Sequence, residues 1–267
     1  MTLNVFRAVP PAPTSRRRGF TLIELAIVLF VVALLLGGML LPLSAQQDVR
    51  SYGDTQKILT EARDALLGYA MAYERLPCPA SSTSNGLEDP VGGGACNHPY
   101  DGFLPAATLG LSPVDARGYR LDGWGGESVH WLRYAVSKAN SNAFTTASGM
   151  KTIGMTTLAP DLQICSTSAG TPGMPTPTPA TADTATCPSI PVNTSLATDA
   201  VAVIYSVGKN AATGTGPDEM HNPNPITTFT PDRAFVNAAQ GAAFDDQMLW
   251  LSKSTLFNRM VAAGRLP

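Results

Sequence analysis

One acidic side chain, Glu24, stands inside an apolar run that extends from Phe20 to Leu43. An ionised carboxylate at membrane depth costs about 2.5–3.5 kcal/mol by insertion scales, so it marks a working residue that needs a partner. Immediately upstream, Arg7, Arg16, Arg17 and Arg18 bring positive charge with no acid among them, and Gly19 joins the two segments. A glycine there leaves the backbone open to close approach from either face. Four widely spaced cysteines, Cys78, Cys96, Cys165 and Cys187, suit disulfides in an oxidising compartment better than a metal site. Proximity favours Cys78 with Cys96 and Cys165 with Cys187, one of three connectivities that four cysteines allow. His98, His130 and His221 lie far apart and read as surface or packing histidines. No Gly-x-Ser-x-Gly elbow, His-Glu-x-x-His or phosphate-cradling Gly-x-x-x-x-Gly-Lys-Ser/Thr occurs, and the chain is not expected to be an enzyme.

The elements that must position these residues follow from the pattern around them. Leu25 to Leu41 holds no charged or strongly polar side chain. With Phe20–Glu24 it reaches the roughly 20 residues that span a hydrocarbon core of about 30 Å, too long for a signal-peptide core. The arginine cluster should stay cytoplasmic, which places the chain beyond about residue 45 on the outer face of an inner membrane. Gly37, Gly38 and Pro42 fall late in this run, where small residues allow close helix contact and Pro frees a carbonyl.

The stretch Arg18-Gly-Phe-Thr-Leu-Ile-Glu-Leu25 resembles the cleavage and methylation signal of type IV prepilins and of the pseudopilins of type II secretion. The resemblance implies a leader, residues 1–19, that prepilin peptidase removes after Gly19, N-methylation of the new terminal residue Phe20, and an assembly role for Glu24. Cleavage would create an ammonium at Phe20. In a filament core, that ammonium and a neighbour's Glu24 carboxylate would each offset the other's desolvation.

Without residues 1–19 the chain keeps 14 basic against 20 acidic residues, a formal charge of −6, which argues against a broad nucleic-acid surface. Leu59, Ala62, Leu66, Tyr69 and Tyr73 recur at spacings of three and four, so residues 44–76 read as an amphipathic continuation of the apolar helix. Leu76-Pro77-Cys78-Pro79 should end it. Beyond lies an outer-face domain, residues 77–267, with strands expected at 131–136 and 200–207. Residues 245–263 read as a short strand or turn and an amphipathic helix capped by Gly264. The Pro/Thr-rich tract between Cys165 and Cys187 should be an exposed, extended loop. The expected fold is α+β and pilin-like, a long helix whose first half spans the membrane, packed on a small antiparallel sheet with disulfide-bounded loops.

A second resemblance is to the C-terminal half of major pseudopilins: Asp122-Gly-Trp124-Gly125, then Tyr134, then Ser206-Val-Gly208-Lys-Asn210, then an acidic segment before Trp250. That family has Pro where this chain has Gly123, and a Ca²⁺-binding loop after the Ser-x-Gly strand. The resemblance implies calcium on oxygen donors drawn from Asn210, Asp218, Glu219, Asp245 and Asp246, a donor type suited to a hard cation. No other cofactor is expected. Together these readings describe a minor pilin-like subunit that works by polymerising, its partners being prepilin peptidase, other pilin or pseudopilin subunits, the inner-membrane assembly platform and the membrane. The alternative is a membrane-anchored envelope binding protein or enzyme whose anchor merely resembles the signal.

Overall fold

The structure is a computed structural model that describes residues 19–168, 186–187, 194–214, 216–223, 231–241 and 243–267, with backbone only for residues 36–45. Residues 1–18 of the leader and residues 169–185 of the Pro/Thr-rich tract lie outside the described residues. The chain divides into two compact units, Met1–Asp48 and Val49–Pro267.

Helix α1 runs Leu22–Tyr73 and crosses the unit boundary. In the first unit its apolar side chains from Leu22 to Leu35 are exposed. Among the described residues no helix is long and apolar enough to cross a membrane. The expected span, residues 20–43, falls in part on residues 36–45, whose side chains are outside the description. The backbone stays helical through Gly37, Gly38 and Pro42.

In the second unit, the amphipathic half of α1 buries Leu59, Ala62, Leu66, Leu67 and Ala70. The expected face is correct except at its end: Tyr73 is 60 % exposed and only stacks on Tyr69 at 4.4 Å, while Ala70 takes the inward position. The helix also stops three residues earlier than expected. Glu74 turns into left-handed backbone (φ 58°), which swings Arg75 inward toward Glu88 before the prolines are reached.

The helix packs on a six-stranded sheet made of β1 (Gly102–Phe103), β2 (Arg133–Val136), β3 (Leu162–Cys165), β4 (Ser195–Ser206), β5 (Ala234–Val236) and β6 (Gln247–Ser252). The spatial order is β1-β2-β4-β3-β5, with β6 also paired to β4. The sheet is mixed, not purely antiparallel as expected, because β3 and β5 pair in parallel. β4 begins earlier than residue 200 because its first half pairs with β3. From Ala200 to Val207 every residue is buried, since both sheet faces are covered. Tyr134, Val136, Ala202 and Ile204 meet the core under α1, and Ala135, Val203 and Tyr205 meet a second core with Phe235 and Met248.

Short helices α2 (Ala106–Leu109), α3 (Ala139–Asn142), α4 (Gly149–Ile153) and α5 (Pro217–His221) lie in the connections. β6 runs into α6 (Lys253–Ala262), as the C-terminal pattern foretold. Ser252 caps α6 by accepting from Thr255 N–H. At the other end Gly264 N–H donates to Val261 and Arg265 N–H to Met260, with Gly264 at φ 68°, a Schellman motif.

The disulfides are Cys78–Cys96 and Cys165–Cys187. They close loops with sequence separations of 18 and 22, each contributing about 3 kcal/mol in the chain-entropy model. The first loop is also held from inside: Arg75 donates twice to the Glu88 carboxylate at 2.7 Å, and Cys78 and Gly92 N–H groups donate to it at 3.1 Å. Burial alone would raise the Glu88 carboxyl, but Arg75 and these amides hold it below the usual range.

Candidate functional site

At the start of the first unit, Gly19 has no atom within 4 Å of where a Cβ would stand, and Phe20 is 81 % exposed. Among the described residues, nothing requires glycine at 19. Thr21 precedes the first helical residue, Leu22, and Glu24 is the third residue of the helix. Thr21 N–H donates to Glu24 Oε2 at 3.4 Å, and Glu24 N–H donates to Thr21 Oγ1 at 3.3 Å. This reciprocal pair is a capping box, which satisfies two amides that have no partner within the helix. Thr21 was not singled out from the sequence, although Thr-x-x-Glu before an apolar run is the signature of such a start. Glu24 thus has a local task besides any intermolecular one.

In the second unit, the Asp122-Gly-Trp124-Gly125 turn is pinned to α1. Gly123 N–H donates to Thr55 Oγ1 at 3.0 Å. A Cβ at Gly123 would lie 2.4 Å from the Ser51 carbonyl oxygen, so the turn touches the helix backbone at a point only glycine allows. A proline here would lose the donor and collide. The Asp122 carboxylate accepts from Trp124 N–H at 2.8 Å and from Ser206 Oγ at 2.5 Å, and His130 Nδ1 lies 3.4 Å from it. Its charge raises His130 above the ordinary histidine range, against the opposing effect of burial.

Ser206, Asp122 and His130 are the components of a hydrolytic triad, but the carboxylate sits between the other two. The serine donates to the aspartate and not to the histidine, and Ser206 is buried. A nucleophile needs its base within reach, so this cluster serves to tie β4 to the turn. His98 pairs with Asp101 at 3.3 Å in a half-exposed loop, and His221 ends α5.

Of the five residues named for calcium, four come together. Asp245 N–H donates to Glu219 Oε1 at 3.0 Å, and Asn210 Nδ2 donates to Glu219 at 3.0 and 3.2 Å. The amides of Lys209 and Asn210 donate to Asp245 Oδ2 at 2.9 and 3.1 Å. One carboxylate oxygen from each of Glu219, Asp245 and Asp246 lies within 4.8 Å of the others. Asp218 is the exception: its carboxylate turns away and accepts from Thr167 and Ser168, joining α5 to the segment after β3. Asn222 was not foreseen; it donates to Asp246 Oδ2 at 2.8 Å and exchanges two bonds with Val236, anchoring the cluster to β5.

Burial, with Glu219 alongside, pushes Asp245 up to about 6, and burial pushes Asp246 well above its ordinary value. Asp245 Oδ1 is buried with no hydrogen-bond partner among the described residues. Glycines crowd the site, since a Cβ at Gly208 would meet Asp245 Oδ1 and one at Gly214 would meet Glu219 Oε2 and Asn210 Oδ1. An all-oxygen donor set with an orphaned, protonation-prone carboxylate fits a hard divalent cation, which would be held by Asn210, Glu219, Asp245 and Asp246. Its chemistry there would be charge neutralisation that locks the loop.

Residues 14–40 match the prokaryotic N-terminal methylation motif, a signal of the type IV pilin-like prepilin kind, and the match brackets Gly19, Phe20 and Glu24. No curated protein and no solved structure matches the chain.

Proposed function

We propose that this chain, which carries a prepilin-type methylation signal, is a structural subunit of a type IV pilus or type II secretion pseudopilus, made as a membrane-anchored precursor. Prepilin peptidase cuts after Gly19, Phe20 is methylated, and the helix that begins at Leu22 enters a bundle of like helices in which Glu24 pairs with a neighbour's terminal ammonium. The observation that carries this reading is the methylation motif over residues 14–40. The exposed apolar side chains between Leu22 and Leu35 support it, because such a surface needs lipid or other helices around it. The chain works mechanically, by assembling, and not as an enzyme. Two disulfide-bounded elaborations on its outer-face domain support a minor subunit. Calcium is the cation for the Asn210, Glu219, Asp245 and Asp246 cluster.

Mass spectrometry of the mature N-terminus from native envelope material tests this. An N-methylated Phe20 is the expected result. An intact Met1, or a cut elsewhere, would return the chain to the class of anchored envelope binding proteins.

A further inference from the structure

An uncharged cleft lies wholly within the 49–267 unit, beside the acidic cluster, with its lining residue Gln240 bonded to the Asp246 carbonyl. Its volume is about 360 Å³, near the lower end of the range for small-ligand sites. It is lined by Tyr52 and Gln56 on α1, Asn237 and Gln240 from the β5–β6 connection, and Gln247 and Met248 at the start of β6. None of its lining residues is charged.

Four carboxamide residues line this space; Gln240 Nε2 is already bonded to the Asp246 carbonyl, and Gln247 is left incomplete. Gln247 is only 3 % exposed; its Oε1 accepts from Gln56 Nε2 at 3.0 Å, while its Nε2 has no hydrogen-bond partner among the described residues. Turning both amides over together only exchanges which Gln247 atom is left over, and turning one alone sets like atoms against each other, so the deficit does not depend on the assignment. A buried polar group without a partner is costly and calls for an occupant that supplies one.

The lining selects the class of that occupant. A phosphate, carboxylate or ammonium would lose its hydration with no opposite charge to replace it, and an apolar group would strand the carboxamides. What remains is a neutral ligand that donates and accepts hydrogen bonds through several groups. A peptide strand would be bound through an open backbone edge, whereas the groups that converge here are side chains. Tyr52, held edge-on against Trp124 at 5.1 Å between ring centroids, adds an aromatic surface. We infer that the cleft bounded by Tyr52, Gln56, Gln240 and Gln247 binds a neutral sugar unit, free or within a glycan chain.

The test uses the full mature chain in a zwitterionic, sugar-free detergent, with saturation-transfer NMR on N-acetylglucosamine, its trimer and maltotriose as probes, and a Gly-Ser-Thr peptide as the competing class. Saturable binding of at least one saccharide is expected, weakened about tenfold or more by Gln247→Leu. Gln56→Ala provides the second variant: Gln56 is exposed on α1, so its loss opens no core cavity although it removes a bond to Gln247, and with the fold checked by circular dichroism it too should weaken binding. Binding of the monomer as well as the trimer would identify a single-ring site, and binding of a trimer alone would identify a glycan chain. Absence of saturable binding by any saccharide, equal binding by both variants and the parent, or preference for the peptide would each overturn the inference.

Discussion

Among the described residues, nothing apart from its chain neighbours lies within 4 Å of the place a Gly19 Cβ would occupy, so we assign intolerance of substitution there to the peptidase. Gly19→Leu should therefore leave the 49–267 unit with an unchanged melting temperature while precursor accumulates at full mass, a shift readable on an immunoblot. Glu24 has two tasks that a single truncation would confuse, because it caps α1 with Thr21 and is proposed to pair with a neighbour's ammonium. Glutamine keeps the cap, since Glu and Gln serve equally in a capping box, but carries no charge. Glu24→Gln should thus be cleaved normally and fail to enter filaments. Filaments containing it at the parent level would show that capping, not charge, is what the position provides. The motif made Gly19, Phe20 and Glu24 legible as residues; the partnership with Thr21 needed the hydrogen-bond geometry at the helix start.

The elements that hold the second unit together depend on pairs far apart in sequence. Arg75 and Glu88 are both buried, with the guanidinium forked on the carboxylate and Tyr69 OH at 3.3 Å from the same group. Removing one partner leaves an uncompensated buried charge, so Glu88→Ala or Arg75→Met should each cost about 3–5 kcal/mol, seen as a lowered denaturant midpoint. The double variant should lose less than the sum. Local signals foretold α6 well, from its apolar spacing to the glycine past its end. They failed at the end of α1, where prolines drew the boundary to residue 76 and the buried Arg75 set it at Tyr73. Short range chemistry sets a helix stop only when no tertiary contact claims the residues beyond it.

Across the whole 49–267 unit, the titrating groups act in one direction between pH 5 and 8. Asp245, near 6 when folded against about 4 when unfolded, makes the native state bind more protons than the unfolded one, so its contribution to stability falls as pH rises from about 4 through 6. Asp246 adds to this sense, its carboxyl being raised by burial. His130, raised by Asp122, contributes stability that is present below about 6.5 and lost as pH climbs through its folded value. The melting temperature should accordingly fall from pH 5 to pH 8, as followed by circular dichroism. Calcium at pH 7.5 should restore it, because an ion that binds only the folded state stabilises it by mass action. Asp245→Asn should flatten the pH profile and remove the calcium response together; a calcium response that survives it would place the ion elsewhere. The sequence by itself determined the processing signal, the helix that follows it and the amphipathic face of Leu59, Ala62 and Leu66, because each depends on residues close together along the chain; proximity favoured the two disulfide pairs, and the structure chose them among three connectivities. Only the tertiary structure decided that Asp218 leaves the acidic cluster while Asn222 supports it, that Gly123 admits α1, that β5 joins β3 in parallel, and that four carboxamide residues line one cleft. Those arrangements rest on contacts between residues tens to nearly two hundred positions apart, whose meeting is set by how the sheet and helix pack and not by any local pattern of residue types.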